Sequence, residues 1–311
     1  MPATPLGKRD RDGPASGNAV FLRHPGRSPA LDPPNAQSIQ SESQLFRVGM
    51  SDIMKGKRGL VMGVANDKSI AWGIAHELAA HGAELAFTYQ GDGFGKRVRP
   101  LAERVGSDFL LDVDVTDDAS LDRAFDAIAT RWGKLDFLVH AIAFAQKEDL
   151  TGRFKDTSRE GFRRALDISC YSFVDVANRS AALMPDGGAM VTVSYAGSYR
   201  VQPYYNVMGV AKAALESATR YLANDLGPEG IRVNAISPGP MRTLAGAAIG
   251  GARKVYRMTE ANAPLGGNAT LEAVGGTAVF LLSELGSGTT GEIVSVDNGY
   301  HILGMPREEN L

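Results

Sequence analysis

From Lys55 onward, short β-branched runs alternate with stretches of helical periodicity at intervals suited to repeated strand–helix–strand units. Parallel strands need long crossover connections, and helices supply them, so this alternation restricts the chain to a parallel sheet covered on both faces. Strands are expected at Arg58–Met62, Glu84–Tyr89, Phe109–Val113, Leu135–His140, Ala189–Val193, Arg232–Ile236 and Ile293–Asp297, with a helix over Ile70–His81 behind the first. Seven strands with no proline-rich linker between them predict one α/β, Rossmann-like, doubly wound domain over residues 54–311.

The segment ahead of it obeys different rules. Seven of the 15 prolines fall within the first 34 residues, among Gly, Ser, Asn and Gln and with little apolar periodicity. Residues 1–53 therefore read as a disordered, dispensable extension, and Met50 and Met54 just before the first strand are compatible with an upstream start codon. For the rest, 44% hydrophobic residues suffice for a sizeable core. Lys plus Arg number 33 and Asp plus Glu 35, which gives no electrostatic reason to expect nucleic acid or an anionic membrane. One cysteine, Cys170, can form neither an intramolecular disulfide nor a thiolate zinc site, so no metal and a reducing, cytoplasmic setting are expected. No uninterrupted apolar run approaches the length of a membrane span, and no secretory signal is evident.

Doubly wound sheets bind ligands beyond the carboxyl ends of their strands. After the first strand the turn runs Gly63-Val64-Ala65-Asn66-Asp67-Lys68-Ser69-Ile70, in which Gly63 permits close backbone approach and Ser69 and Ile70 open a helix whose free N–H groups favour a pyrophosphate. Taken alone, it also reads as a tight strand-to-helix connection without a ligand. Gln90, ending the second strand, can bond a ribose 2′-hydroxyl without repelling a 2′-phosphate, and Lys96 and Arg97 stand close by; NADH is favoured and NADPH stays open. Asp114 and Val115, ending the third strand, suit an adenine edge, although Asp114 reads equally as a helix cap.

The sharpest signal is Tyr204-Tyr205-Asn206-Val207-Met208-Gly209-Val210-Ala211-Lys212, preceded by the strand exit Ser194-Tyr195. With Val233-Asn234-Ala235-Ile236-Ser237-Pro238-Gly239 and Val296-Asp297-Asn298-Gly299, it resembles the short-chain dehydrogenase/reductase superfamily from about Lys55 to the C-terminus. The departures identify the branch. Most members carry Tyr four residues before Lys, where this chain has Met208; Tyr205 instead precedes Lys212 by seven, and Tyr195 lies ten residues upstream of Tyr205. That arrangement resembles the divergent enoyl-acyl-carrier-protein reductases of the bacterial FabI type, as do Gly63 with Ser69-Ile70-Ala71, Gln90, Asp114-Val115 and Gly239-Pro240-Met241-Arg242-Thr243-Leu244-Ala245.

Seven helical residues return to nearly the same azimuth about 10.5 Å along the axis, which predicts Tyr205 and Lys212 on one face of a helix. The resemblance implies that Lys212 holds the nicotinamide ribose, that Tyr205 meets the thioester carbonyl of an enoyl substrate, and that Tyr195 stands beside them, to orient substrate, donate to the oxyanion, supply a proton or simply pack. It further places Ala141 and Ile142 along the cofactor, Ala143 and Met208 beside the substrate, Met241 near the nicotinamide and Thr243 at the pyrophosphate or carboxamide. Leu244–Ala252, small and glycine-rich, suits a mobile lid over an acyl chain, with Ala245 and Ile249 against the substrate. Ala252, where relatives often have Phe, suggests a roomier mouth.

His140 reads as a structural histidine, because no Ser or Asp partner completes a hydrolytic triad, and Cys170 as buried or interfacial rather than reactive. Resemblance also implies a homotetramer and acyl carrier protein as the delivering partner. Two rivals remain on the same fold: a carbonyl-reducing dehydrogenase, against which Met208 and Tyr195 count, and a non-catalytic nucleotide sensor, which has little need of Tyr205 and Lys212.

Overall fold

The structure is a computed structural model and describes residues 52–247 and 251–310. The extension expected over residues 1–53 lies outside the described residues except for Asp52 and Ile53; Met54 is fully buried and its amide donates to His81 O at 2.8 Å.

Seven parallel strands stand in the order β3-β2-β1-β4-β5-β6-β7: β1 Arg58–Met62, β2 Glu84–Tyr89, β3 Phe109–Asp112, β4 Phe137–His140, β5 Gly188–Val193, β6 Ile231–Pro238 and β7 Ile293–Val296. The order reverses between β1 and β4, which opens a crevice at their carboxyl ends. Alternation along each strand divides the apolar side chains between two cores. Val61, Phe87, Phe137, Val139 and Val191 face α1 (Ile70–Ala80), α2 (Gly91–Arg104) and the last long helix, Leu271–Leu282. Leu60, Met62, Leu138 and Met190 face α3 (Asp118–Trp132) and, further along the chain, the helices that carry Phe173 and Leu215. Because both faces are covered, the strands read as continuous apolar runs, and the seven expected strands agree with the structure to within two residues at each end.

Local chemistry sets the helix ends. Asp117 caps α3 by accepting from Ala119 N at 3.0 Å, and Gly133, left-handed at φ +73°, ends it with an N–H to Ala129 O. Between α4 (Arg159–Leu166) and α5 (Ser172–Ala181) the chain makes one π-helical turn, Asp167–Tyr171, a widening that recurs at functional sites. Then come α6 (Asn206–Leu226), α7 (Ala252–Asn262) and α8 (Leu271–Leu282). Of the expected lid, Leu244–Ala247 is helical, residues 248–250, Ile249 among them, lie outside the described residues, and Gly251 caps α7.

Candidate active site

Each expected site residue on a described strand exit stands at the carboxyl edge of the sheet: Gly63 after β1, Gln90 after β2, Asp114 and Val115 after β3, Ala141, Ile142 and Ala143 after β4, Tyr195 after β5, Met241 and Thr243 after β6. Gly63 has φ +100°, and a Cβ there would stand 2.1 Å from Ala141 O, so only glycine lets the first turn pass the exit of β4.

Ser69 does not cap α1 with its side chain; its Oγ accepts from Ala65 N and Asn66 N, both at 3.0 Å, and thereby folds the turn. The N–H groups of Ile70 and Ala71, in the first helical turn, have no intrahelical acceptor and face the crevice end of the sheet, as an anion site requires. Gln90 and Asp114, apart in sequence, are bonded to each other, Nε2 to Oδ2 at 2.8 Å. Asp114 is not a helix cap: its Oδ1 accepts from Thr116 N and Oγ1 at 2.9 and 2.7 Å, while Asp117 caps the next helix. Burial works to raise the Asp114 carboxyl, but these hydrogen bonds outweigh it and hold the carboxyl below its ordinary value. Val115 and Ile142 pack half-buried against the second core, and Met241 and Ala141 against the first. Ala143 is exposed beside Phe144, whose backbone is pinned on both sides by the buried Ser169 hydroxyl. Thr243 Oγ1 accepts from Gly246 N at 2.9 Å and so caps the helical turn that includes Ala245.

At the reacting end Tyr205, Met208 and Lys212 are all buried. The seven-residue spacing brings Tyr205 and Lys212 to one region, yet not through a shared helix as the periodicity predicts. Tyr205 is the residue before α6, at φ −110°, and its neighbours Tyr204 and Asn206 have φ of +61° and +32°. Two left-handed residues are a costly way to begin a helix, and here they set the direction of the intervening tyrosine. The loop that carries Gly197 closes over it: a Cβ at Gly197 would meet the Tyr205 ring at 2.4 Å. Tyr195 meets that ring edge-on at a centroid distance of 5.0 Å. Neither tyrosine hydroxyl has a hydrogen-bond partner among the described residues. Burial, then neighbouring Tyr300 and Tyr199, pushes Tyr195 up to about 12; burial, then Tyr195 and Glu216, pushes Tyr205 higher still, so both phenols keep their protons.

Lys212 is 4% exposed and donates to Val193 O at 2.6 Å. Burial lowers its ammonium to about 8, against the opposing pull of Cys170 and Glu216. His140, fully buried behind it, is structural as expected: Ser172 Oγ donates to Ile168 O and so accepts from His140 Nε2, while Thr192 Oγ1 faces Nδ1 at 3.2 Å. Burial, then the Lys212 charge, lowers the imidazole to about 3 and keeps it neutral. Cys170 is half-buried on the π-helical turn, its thiol raised by burial. Sequence reasoning missed the pairing of Ser194, the residue before Tyr195, with Glu216, Oγ to Oε1 at 2.5 Å; the position of Glu216 four residues after Lys212 was the available signal. A cavity of about 320 Å³ opens beside Tyr195 between Gln202, Pro238, Val255, Met258 and Tyr300. Among the described residues there is no group of side chains suited to a metal ion.

A family profile described as Enoyl-(Acyl carrier protein) reductase matches residues 63–301. The enoyl-[acyl-carrier-protein] reductase [NADH] 2 of Rhizobium meliloti (strain 1021) is 60% identical over 262 residues, 84% of this chain and 98% of that protein. The crystal structure of FabI from Candidatus Liberibacter asiaticus superimposes with a TM-score of 0.81 at 53% identity, covering 83% of this chain and all of that one. A reductase of Anaplasma phagocytophilum solved in complex with NAD gives a TM-score of 0.79 at 52% identity, covering 82% of this chain and 97% of that one. With its strand order, its paired tyrosines above a buried lysine, and these likenesses spanning nearly the whole length of each relative, the chain belongs to the enoyl-(acyl carrier protein) reductase family.

Proposed function

We infer that this chain is an NADH-dependent enoyl-acyl-carrier-protein reductase, an oxidoreductase that saturates the trans-2 double bond of enoyl thioesters in fatty-acid elongation. The observation that carries this reading is the position of Tyr205, a protonated phenol buried beside Tyr195 and set by the loop that leads into the helix presenting Lys212.

The crevice has the donors a dinucleotide needs. The Ile70 and Ala71 amides at the start of α1 suit the pyrophosphate, with Thr243 near it and Gly63 leaving space for its approach. Asp114 and Val115 suit the adenine, and Gln90, whose amide nitrogen is held by Asp114, would offer its carbonyl oxygen to a ribose hydroxyl. Lys212 has three N–H donors and, among the described residues, one protein acceptor, Val193 O, so ribose hydroxyls would take the others. Ala141, Ile142 and Met241 would flank the nicotinamide. When bound, the dihydronicotinamide supplies a hydride to C3 of the enoyl thioester.

Negative charge then develops on the thioester oxygen, two bonds beyond the double bond, and the protein must stabilise it there. Tyr205 donates to that oxygen; a phenol whose ionisation burial opposes is suited to donate a hydrogen bond without giving up its proton. Tyr195, against its edge, orients the ring and the substrate. Ala143, Met208, Ala245 and Ile249 are assigned to the acyl side. A proton taken up from solvent at C2 would complete the saturated product.

Acyl carrier protein is the proposed delivering partner, a homotetramer through α5 and α6 the proposed assembly, and the cytoplasm the proposed location. No helix of the described residues is long and apolar enough to cross a membrane. Exposed Tyr171 and Tyr221, on the π-helical turn and α6, are aromatic groups such an assembly would cover. Cofactor oxidation with NADH or NADPH, offered a trans-2-enoyl thioester and separately a 3-ketoacyl thioester, tests the function: enoyl-dependent NADH oxidation is expected, and turnover of the ketoacyl substrate alone would overturn it.

A further inference from the structure

One half-buried acidic group beside the reacting end is left over from the chemistry above. Glu216 lies four residues beyond Lys212 on α6, so its Cα is about 6 Å further along the same face. Its carboxylate makes no ion pair with Lys212 among the described residues; it accepts instead from Ser194 Oγ at 2.5 Å. Ser194 is 2% exposed, and its own N–H is fixed to Ile236 O of β6 at 2.8 Å. The preceding carbonyl, Val193 O, is the acceptor of Lys212 Nζ. Two consecutive residues at the exit of β5 are therefore gripped by two residues one turn apart on α6, and the next residue along the strand is Tyr195.

We propose that Glu216 is a positioning residue for Lys212 and Tyr195, its carboxylate anchoring the exit of β5 through Ser194 while holding negative charge one helical turn from the buried ammonium. Near neutral pH the other titratable groups around Lys212 carry no negative charge. His140 on β4 is neutral, Cys170 on the π-helical turn keeps its proton because burial raises it, and Tyr205 at the head of α6 and Tyr195 at the exit of β5 are both held as phenols. Glu216 is the one carboxylate among the groups that act on Lys212, and it works against the lowering that burial imposes.

The proposal rests on the reading that Lys212 holds the nicotinamide ribose, and its test separates the two. Equilibrium binding of NADH to the full-length protein is followed by nucleotide fluorescence from pH 6 to pH 10 for wild type, Glu216→Gln and Lys212→Met, with thermal melting of each as a control for folding. Glu216→Gln keeps an oxygen acceptor for Ser194 and removes only the charge. Affinity in the wild type is expected to fall on the alkaline side as Lys212 loses its proton, and Glu216→Gln is expected to move that limb toward acid by roughly 0.5–1 pH unit, with no more than a small change in melting temperature. Glu216→Asp, which restores the charge, is expected to return the limb toward its original position. An unmoved limb in Glu216→Gln with wild-type binding intact would overturn the role of Glu216 alone. Alkaline weakening that persists unchanged in Lys212→Met would instead overturn the ribose reading beneath it.

Discussion

The rings of Tyr195 and Tyr205 meet edge to face at 5.0 Å, one carried by the exit of β5 and the other by the residue before α6. Each ring limits the rotation of the other, and both hydroxyls are left to whatever enters between them and the cofactor crevice. Under the proposed function the pair would divide the work: Tyr205 would supply the donor, and Tyr195 the edge that holds it in place.

Tyr205→Phe keeps this packing and removes the donor. Its kcat on enoyl thioesters is expected to fall by about 10²-fold or more, with NADH affinity unchanged. Tyr195→Phe, which removes a hydroxyl but preserves the edge contact, is expected to cost about tenfold or less. Steady-state kinetics beside direct NADH binding checks both; equal losses in the two variants would contradict the division.

His140 gives the fold a defined acid weakness. Its pKa is about 3 in the folded protein against an ordinary 6.5, so between those limits the unfolded chain binds the extra proton and stability rises with pH. Stability is full above pH 6.5 and declines as pH falls toward 3. At pH 5 the loss attributable to this residue is about 2 kcal/mol. Denaturant unfolding of wild type and His140→Gln at pH 7 and pH 5 is expected to show the smaller pH dependence in the variant, although the variant is less stable at pH 7.

Gln90 stands where an acidic residue is common in dinucleotide folds, and the Asp114 contact at 2.8 Å gives the reason. A glutamate there would oppose a second carboxylate, whereas an amide donates to it. Gln90→Glu is therefore expected to weaken NADH binding several-fold, and to weaken it less as pH falls and one of the two carboxylates takes up a proton. Titration calorimetry at pH 5.5 and pH 8 distinguishes this from a simple loss of contact, which would be independent of pH.

Ile53 and the Met54 amide both make contacts with the folded region. A chain beginning at Met54 would place a charged ammonium where a buried amide now donates to His81 O, and would lose the partial packing of Ile53. Starting at Met50 leaves both interactions in place. Thermal melting is expected to separate the two truncations by several degrees, with the Met50 form close to the full-length chain.

The strands were legible because burial on both faces leaves them as short, mainly apolar runs, and the crevice residues were legible because a parallel sheet sends every strand exit to one edge. What escaped was non-local or conformational. No periodicity reveals that Tyr204 and Asn206 take left-handed backbone, so Tyr205 read as part of the helix that starts after it. The bond between Gln90 and Asp114 crosses from β2 to β3, and the isolated Asp114 looked like a cap. Glu216 drew no reading from the sequence because its partner, Ser194, comes from another element.

The loop mounting of Tyr205 separates two adjustments that a shared helix would have tied together. Lys212 is registered by the rigid turns of α6, whereas Tyr205 is registered by the Arg200–Tyr204 segment ahead of it. Under the proposed function, sequence drift in that segment would move the phenol deeper or shallower, toward carbonyls at different distances from the reacting carbon, while the proposed grip of Lys212 on the nucleotide would stay as it was. A catalytic site built this way can diversify its substrates without renegotiating its coenzyme.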